Sequence, residues 1–276
     1  MFFSQISHPD IQHNQQEFIY YESPQLKSLH FLIHAFTTRK GGVSEGCYNS
    51  LNFSVKEGDP EENVRKNFQV VADAFNLSPQ QFLTVKQVHG DNILMIDDPA
   101  FIFHSCKPFE YDCIITNRPG LAIGVKTADC VPILLVDHVK RVIGVIHAGW
   151  RGTVLNIAAK AVAQFQMSFS SKTQDLLAAI GPAIGPCCYQ VDRQVYDAVS
   201  ADVRNLYFQP CKEKNRWMFD LPFLNRQQLI AAGMLSEKID MSGLCTSCLP
   251  GLFYSHRGEY GKTGRQFNFL MLKDHE

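Results

Sequence analysis

Apolar residues along this chain fall into short runs, and the runs differ in period. Phe31 to Thr37, Ile93 to Ile96, Cys113 to Thr116, Leu121 to Lys126, Val131 to Val136, Val142 to Ile146, Leu176 to Ile180 and Gln266 to Leu272 are short and mostly rich in β-branched or aromatic residues, so they predict strands. Between Pro60 and Phe75, Val64, Phe68, Val71 and Phe75 recur at helical spacing and predict an amphipathic helix. Helices are also expected over Val154 to Phe165, entered from Thr153, over Val191 to Val199 and over Phe219 to Ala232. Asn117-Arg118-Pro119-Gly120 reads as a tight turn, Gly181 to Pro186 as a rigid loop and Met241 to Phe253 as a loop. Strands and helices mix without strict alternation, so the expected class is α/β or α+β, a single layered domain. Residues 1–30, with His8 and His13 among polar neighbours, read as a loosely held lead-in to one catalytic domain over 31–276.

Composition narrows the functional classes. The chain has 276 residues, enough to bury roughly 70–75% of its unfolded surface. Twenty-six basic and 27 acidic residues leave a net charge of −1, which argues against a general nucleic-acid or membrane-surface binder. No run approaches the roughly 18 apolar residues of a membrane span, and the start lacks a basic region followed by an apolar core. Nine cysteines without an export signal point to the cytoplasm, as thiols, buried small residues or metal ligands.

The densest chemistry lies at strand ends. His147-Ala148-Gly149-Trp150-Arg151-Gly152-Thr153 joins an apolar strand to a helix, a turn suited to an anion. Seventeen residues upstream, Thr127-Ala128-Asp129-Cys130 closes another strand, and one hairpin from Val131 to Ile146 would bring Cys130 and His147 together. His89 also ends an apolar run. Two imidazoles and a thiolate suit Zn²⁺ with an open position, although separations of 41 and 17 residues are unlike zinc-finger spacing. A metal-free alternative makes Cys130 a nucleophile and His147 its base, as in a hydrolase or amidase. A non-catalytic metal-binding protein is a third reading.

An ordered set of motifs accompanies these residues: Phe36-Thr37-Thr38-Arg39 with Gly41-Gly42-Val43-Ser44, Ser50-Leu51-Asn52, Gln87-Val88-His89-Gly90, Thr127 to Pro132, His147 to Thr153, Ile180-Gly181-Pro182, Cys187-Cys188-Tyr189 and Phe253 to Arg257. The set resembles the laccase-domain family of purine nucleoside phosphorylases, formerly called multicopper polyphenol oxidases. The resemblance implies a layered α/β sandwich akin to the catalytic domain of cytotoxic necrotizing factor toxins. It also implies zinc on His89, Cys130 and His147, and phosphorolysis of adenosine, inosine and S-methyl-5'-thioadenosine with adenosine deamination beside it. The chain departs from the family pattern at Gly258-Glu259, where relatives more often carry Arg-Asp.

Phosphorolysis requires purine nucleosides and inorganic phosphate as partners, and guanidinium forks suit phosphate oxygens. Arg39 and Arg151 are therefore expected at substrate, with Arg257 and Lys86 weaker candidates. Asn52 is expected to bind a ribose or purine edge, Gln87 beside His89 is a further substrate candidate, and Asp129 is expected to orient a ligand or move a proton. Copper fits less well than zinc, because ten histidines include no His-x-His pair. Cys187-Cys188 and Cys245-x-x-Cys248 could form a second zinc site, but without matched pair spacing they read as packing or loop thiols. Cys47, Cys106, Cys113 and Cys211 carry no pattern.

Overall fold

The computed structural model describes residues 11–13, 18–97 and 110–274; His8 and Cys106 lie outside them. In chain order the strands are β1 (Ile11–His13), β2 (Ile19–Tyr21), β3 (Leu32–Thr37), β4 (Phe82–Thr84), β5 (Ile93–Ile96), β6 (Cys113–Thr116), β7 (Ala122–Thr127), β8 (Val131–Asp137), β9 (Val142–Ala148), β10 (Leu176–Ile180), β11 (Gln190–Val191), β12 (Phe208–Pro210), β13 (Trp217–Phe219), β14 (Ile239–Met241) and β15 (Gln266–Leu272). The helices are α1 (Pro24–Lys27), α2 (Glu61–Phe75), α3 (Trp150–Val154), α4 (Ile157–Phe169), α5 (Arg193–Ala198), α6 (Arg204–Tyr207) and α7 (Leu221–Ala231).

Two mixed six-stranded sheets carry the fold. One runs β1-β2-β3-β15-β7-β4 and the other β14-β10-β8-β9-β6-β5. Successive side chains of a strand face opposite ways, and both faces of these sheets are covered. Leu134, Val136, Ile143 and Val145 of the second sheet meet Phe36, Ile123, Leu270 and Leu272 of the first in one core. Ile133, Leu135 and Ile146 face outward onto Ile157, Ala161 and Phe165 of α4 and Leu224 of α7. On the far side, Phe267, Phe269 and Met271 pack with Val71 of α2 and with Phe53. The result is a layered α/β sandwich: helix, sheet, sheet, helices. Two-sided burial explains why β8 and β9 read as unbroken apolar runs rather than alternating ones.

Several boundaries differ from expectation. The helix expected from Thr153 to Phe165 is two helices, because Asn156 takes a left-handed conformation (φ 62°) that Asn tolerates and a helix interior does not. The one expected over Val191 to Val199 is confined to α5, where the Asp192 side chain accepts the Val195 N–H as a cap, and Val191 belongs to a strand. At α7, Asp220 caps the first turn and Pro222 sits within it, so Phe219 stays in β13. The small sheet β11-β13-β12 was not anticipated; its strands are too short to show a period. Within the expected lead-in, residues 18–30 are packed, not loose: Phe18, Tyr21 and Leu26 are buried, and β2 pairs with β3.

Candidate metal centre and cleft

β8 and β9 form one antiparallel hairpin in which Val131 faces Ala148 and Pro132 faces His147. Cys130, immediately before β8, therefore lies beside the His147-Gly149 end of β9, as the seventeen-residue spacing anticipates. His89 approaches from the loop between β4 and β5. Ligand atoms of His89, Cys130 and His147 all lie within 4.8 Å of one another. The imidazoles meet edge to face, with ring centroids 4.8 Å apart. Gly149 leaves room for the trio: a Cβ would crowd it, 3.0 Å from His89 Cδ2 and 3.2 Å from Cys130 Sγ.

The residue that assembles the trio is Asp112, which sequence reasoning missed. It is fully buried immediately before β6. Its Oδ1 accepts the His89 N–H at 3.0 Å and the His147 Nδ1 at 2.7 Å, and its Oδ2 accepts the Gly90 N–H at 2.6 Å. Its carbonyl accepts the His147 N–H at 2.7 Å. One carboxylate thus fixes the left-handed His89 turn (φ 60°) and the ring orientation of His147. In the neutral ring, with Nδ1 donating to Asp112, Nε2 of His147 is the electron-pair donor toward the trio. A charged residue abutting an apolar run, Tyr111-Asp112-Cys113, was the only signal available.

Electrostatics follow from this packing. Burial alone would raise the Cys130 thiol, but His147 and then His89 beside it bring its pKa down to about 6. Burial alone would lower His147, but Cys130 and Asp112 win and take it up to about 9. Asp112 is held below its ordinary value despite burial, chiefly by its bond to His147. The trio fits a thiophilic divalent ion: a thiolate-prone sulfur, a ring nitrogen with a defined tautomer and a carboxylate behind it.

The trio opens into a cleft of about 710 Å³, within the size range of small-molecule sites. Its walls include Trp150, Tyr189, Ile184 and Leu221 as apolar surface. Six basic side chains line it (Lys56, Lys86, Lys126, Arg151, Arg257 and Arg265) against the acids Glu57 and Asp129. Lys86 pairs with Glu110, and Arg265 with Glu57. Among the described residues Lys126 and Arg151 form no ion pair. Arg151 lies over the Trp150 ring at 4.4 Å. A chain with a net charge of −1 therefore carries a locally cationic cleft.

The expected substrate residues divide. Arg151 and Gln87 line the cleft, but both amide atoms of Gln87 already bond Lys126, its Nε2 to the carbonyl and its Oε1 to the N–H, each at 2.7 Å. Arg39 does not reach the cleft. It pairs with Glu259 at 3.0 Å, donates to the carbonyls of Asn49 and Pro250, and stacks on Tyr254. Glu259, the position that departs from the family pattern, is thus its partner. Asn52 is fully buried and caps loops: Nδ2 donates to Asp59 and to the Ser54 carbonyl, and Oδ1 accepts from Ser54 and Arg265. Asp129 adjoins the trio, but its carboxylate accepts Thr246 Oγ1 at 2.7 Å and the Arg257 N–H at 2.6 Å. Those bonds fasten the Thr246 and Arg257 loops beside the trio, and Asp129 stays in the cleft lining. Lys126 and Arg265 are lining residues that no sequence motif marks, and Tyr189 and His256 line the cleft from within the quoted motifs. Cys187, Cys188, Cys245 and Cys248, expected as unrelated packing or loop thiols, come together in a separate cluster.

The model of the multi-copper polyphenol oxidoreductase laccase family matches residues 33–273. A relative named purine nucleoside phosphorylase YlmD, from Bacillus subtilis (strain 168), is 38% identical over 253 residues, covering 88% of this chain and 89% of its own. A purine nucleoside phosphorylase from Bacteroides thetaiotaomicron is 33% identical, covering 91% and 95%. The crystal structure of YlmD from Geobacillus stearothermophilus superposes with a TM-score of 0.84 at 32% identity, covering 96% and 99%. That of the Bacillus licheniformis hypothetical protein YfiH gives 0.86 at 34%, covering 96% and 100%. The chain belongs to the multi-copper polyphenol oxidoreductase laccase family.

Proposed function

We propose that this protein is a cytoplasmic, zinc-dependent purine nucleoside phosphorylase. One observation carries the reading: a compact His89–Cys130–His147 donor set opens into a cleft that is both cationic and partly apolar. The names of its relatives support the same activity. The substrates we assign are adenosine, inosine and S-methyl-5'-thioadenosine, with adenosine deamination as a second activity.

In phosphorolysis an oxygen of hydrogen phosphate bonds to ribose C1', the C1'–N9 bond breaks, and the base leaves with that electron pair and takes up the proton the phosphate gives up. Arg151 and Lys126 neutralise the phosphate; Arg151 offers a two-pronged donor and Lys126 a point charge. Trp150 and Tyr189 give the purine an aromatic surface and exclude water around it. Asp112 orients His147 and His89. His89, Cys130 and His147 would hold a zinc ion, which would supply there the Lewis acid that deamination calls for. Two histidines and one cysteine do not provide the ligands of a trinuclear copper cluster, which sets oxidase chemistry aside.

Metal-replete protein with adenosine and phosphate should release adenine and ribose 1-phosphate. Absence of phosphate-dependent adenine release would sink the reading. The Cys130–His147–Asp112 alignment, thiol beside an imidazole oriented by a carboxylate, favours one rival: a metal-free thiol hydrolase or amidase. Alkylation of Cys130 that abolishes hydrolysis in protein free of metal would establish the rival.

A further inference from the structure

Cys187, Cys188, Cys245 and Cys248 lie outside the lining of the cleft, and nothing in the proposed reaction uses them. Their four sulfurs lie within 4.8 Å of one another. Cys248 Sγ is 3.4 Å from both Cys187 Sγ and Cys188 Sγ. A disulfide would need about 2.05 Å, and all four are free. Four thiolates arranged tetrahedrally at about 2.3 Å from one zinc would be separated by about 3.8 Å. Apolar packing does not account for the cluster, since Cys187 and Cys248 are exposed.

The supporting backbone resembles a built clip. The loop after β10 and the loop after β14 are tied in register: Ala183 N–H donates to the Leu244 carbonyl at 3.2 Å, and Thr246 N–H to the Ala183 carbonyl at 3.0 Å. Each loop then turns tightly, through Cys188 N–H to Gly185 O at 3.0 Å and Leu249 N–H to Cys245 O at 3.2 Å. The Gly185 N–H points at Cys245 Sγ at 3.3 Å, the kind of donor that metal-bound thiolates receive. A Cβ on Gly185 would lie 3.3 Å from Cys187 Sγ and 3.4 Å from Cys245 Cβ, so glycine lets the chain close over the sulfurs.

We propose that Cys187, Cys188, Cys245 and Cys248 form a second, structural metal site that takes one zinc-class ion as a tetrathiolate. Each thiol gives its proton to solvent as it ligates. Four protein ligands leave no open position, so the ion does no chemistry. It fastens two loops that serve the cleft. Tyr189 follows Cys188 directly and lines the cleft, and Thr246 follows Cys245 and holds Asp129 beside the trio. The site stands independently of the phosphorylase reading.

Full-length protein purified with reductant is expected to carry about two zinc ions per chain by elemental mass spectrometry. The double variant Cys245→Ser/Cys248→Ser should carry one, and Cys130→Ala should also carry one, a different one. Cobalt reconstitution of wild-type protein reports the ligands directly and does not depend on either variant folding. Intense sulfur-to-cobalt charge-transfer bands of a tetrathiolate are expected in the wild type. A single zinc lost entirely in Cys130→Ala overturns the proposal. So does an intact mass showing a Cys248 disulfide without metal, or cobalt spectra of a one-thiolate site only.

Discussion

His34 and His147 are both 2% exposed, each in a strand of a different sheet, yet the protein drives them in opposite directions. His34 in β3 is pushed down to about 4, chiefly by burial with Lys27 nearby, and its Nε2 accepts the Ser23 N–H at 3.0 Å. It stays neutral and serves as a fastener between β3 and the start of α1. His147 in β9 is raised to about 9, because Cys130 and Asp112 outweigh the same burial. Burial sets the cost of charge, and the neighbours decide whether a residue bears it. One sheet keeps its histidine as structure; the other surrounds its histidine with anionic partners, as a cation site would.

Cys130→Ala breaks the contrast most completely. It should remove the metal of the trio and reduce phosphorolysis to background, by elemental analysis and product assay, while the four-cysteine site stays loaded. Acid tests the other histidine. The folded pKa of His34 lies below its unfolded value near 6.5, so the unfolded chain takes the proton first as pH falls. The contribution is fully present above about pH 6.5 and is lost progressively toward about pH 4, in total about 3 kcal/mol. Urea titrations across that range should show this slope in wild type and its absence in His34→Gln. Asp112→Asn keeps the shape and removes the carboxylate behind His147. A 10–100-fold loss of trio metal affinity is expected, measured by chelator competition. Arg151→Ala should raise KM for phosphate about 10-fold, the loss of one charge-assisted hydrogen bond, with smaller change in KM for nucleoside. An unchanged phosphate KM would remove Arg151 from the anion site.

Much of the sandwich was legible because strands covered on both faces, β8 and β9 above all, cannot hide their apolar runs. Cys130 and His147 could be paired from sequence because a single hairpin joins them. Arg39 and Asn52 fall outside the cleft lining, because residue type and loop position do not say which carbonyl or carboxylate a side chain will meet. Folding gives Arg39 to Glu259 and Asn52 to Asp59. Asp112 was invisible for the opposite reason: its role depends on two histidines brought from elsewhere, and no local spacing records that. The four cysteines needed two loops in register, a relation carried by β10 and β14 and not by either motif.

β15 lies between β3 and β7, pairing Asn268 with Phe36 on one side and with Val125 on the other. During synthesis the neighbours of that strand emerge long before it does. The second sheet, built from β5 through β14, can assemble first, while β3 and β7 must wait with open edges. Such edges are where chains associate wrongly. The first sheet therefore closes only once β15 is available, and a polypeptide stalled before Gln266 should be a client for chaperones.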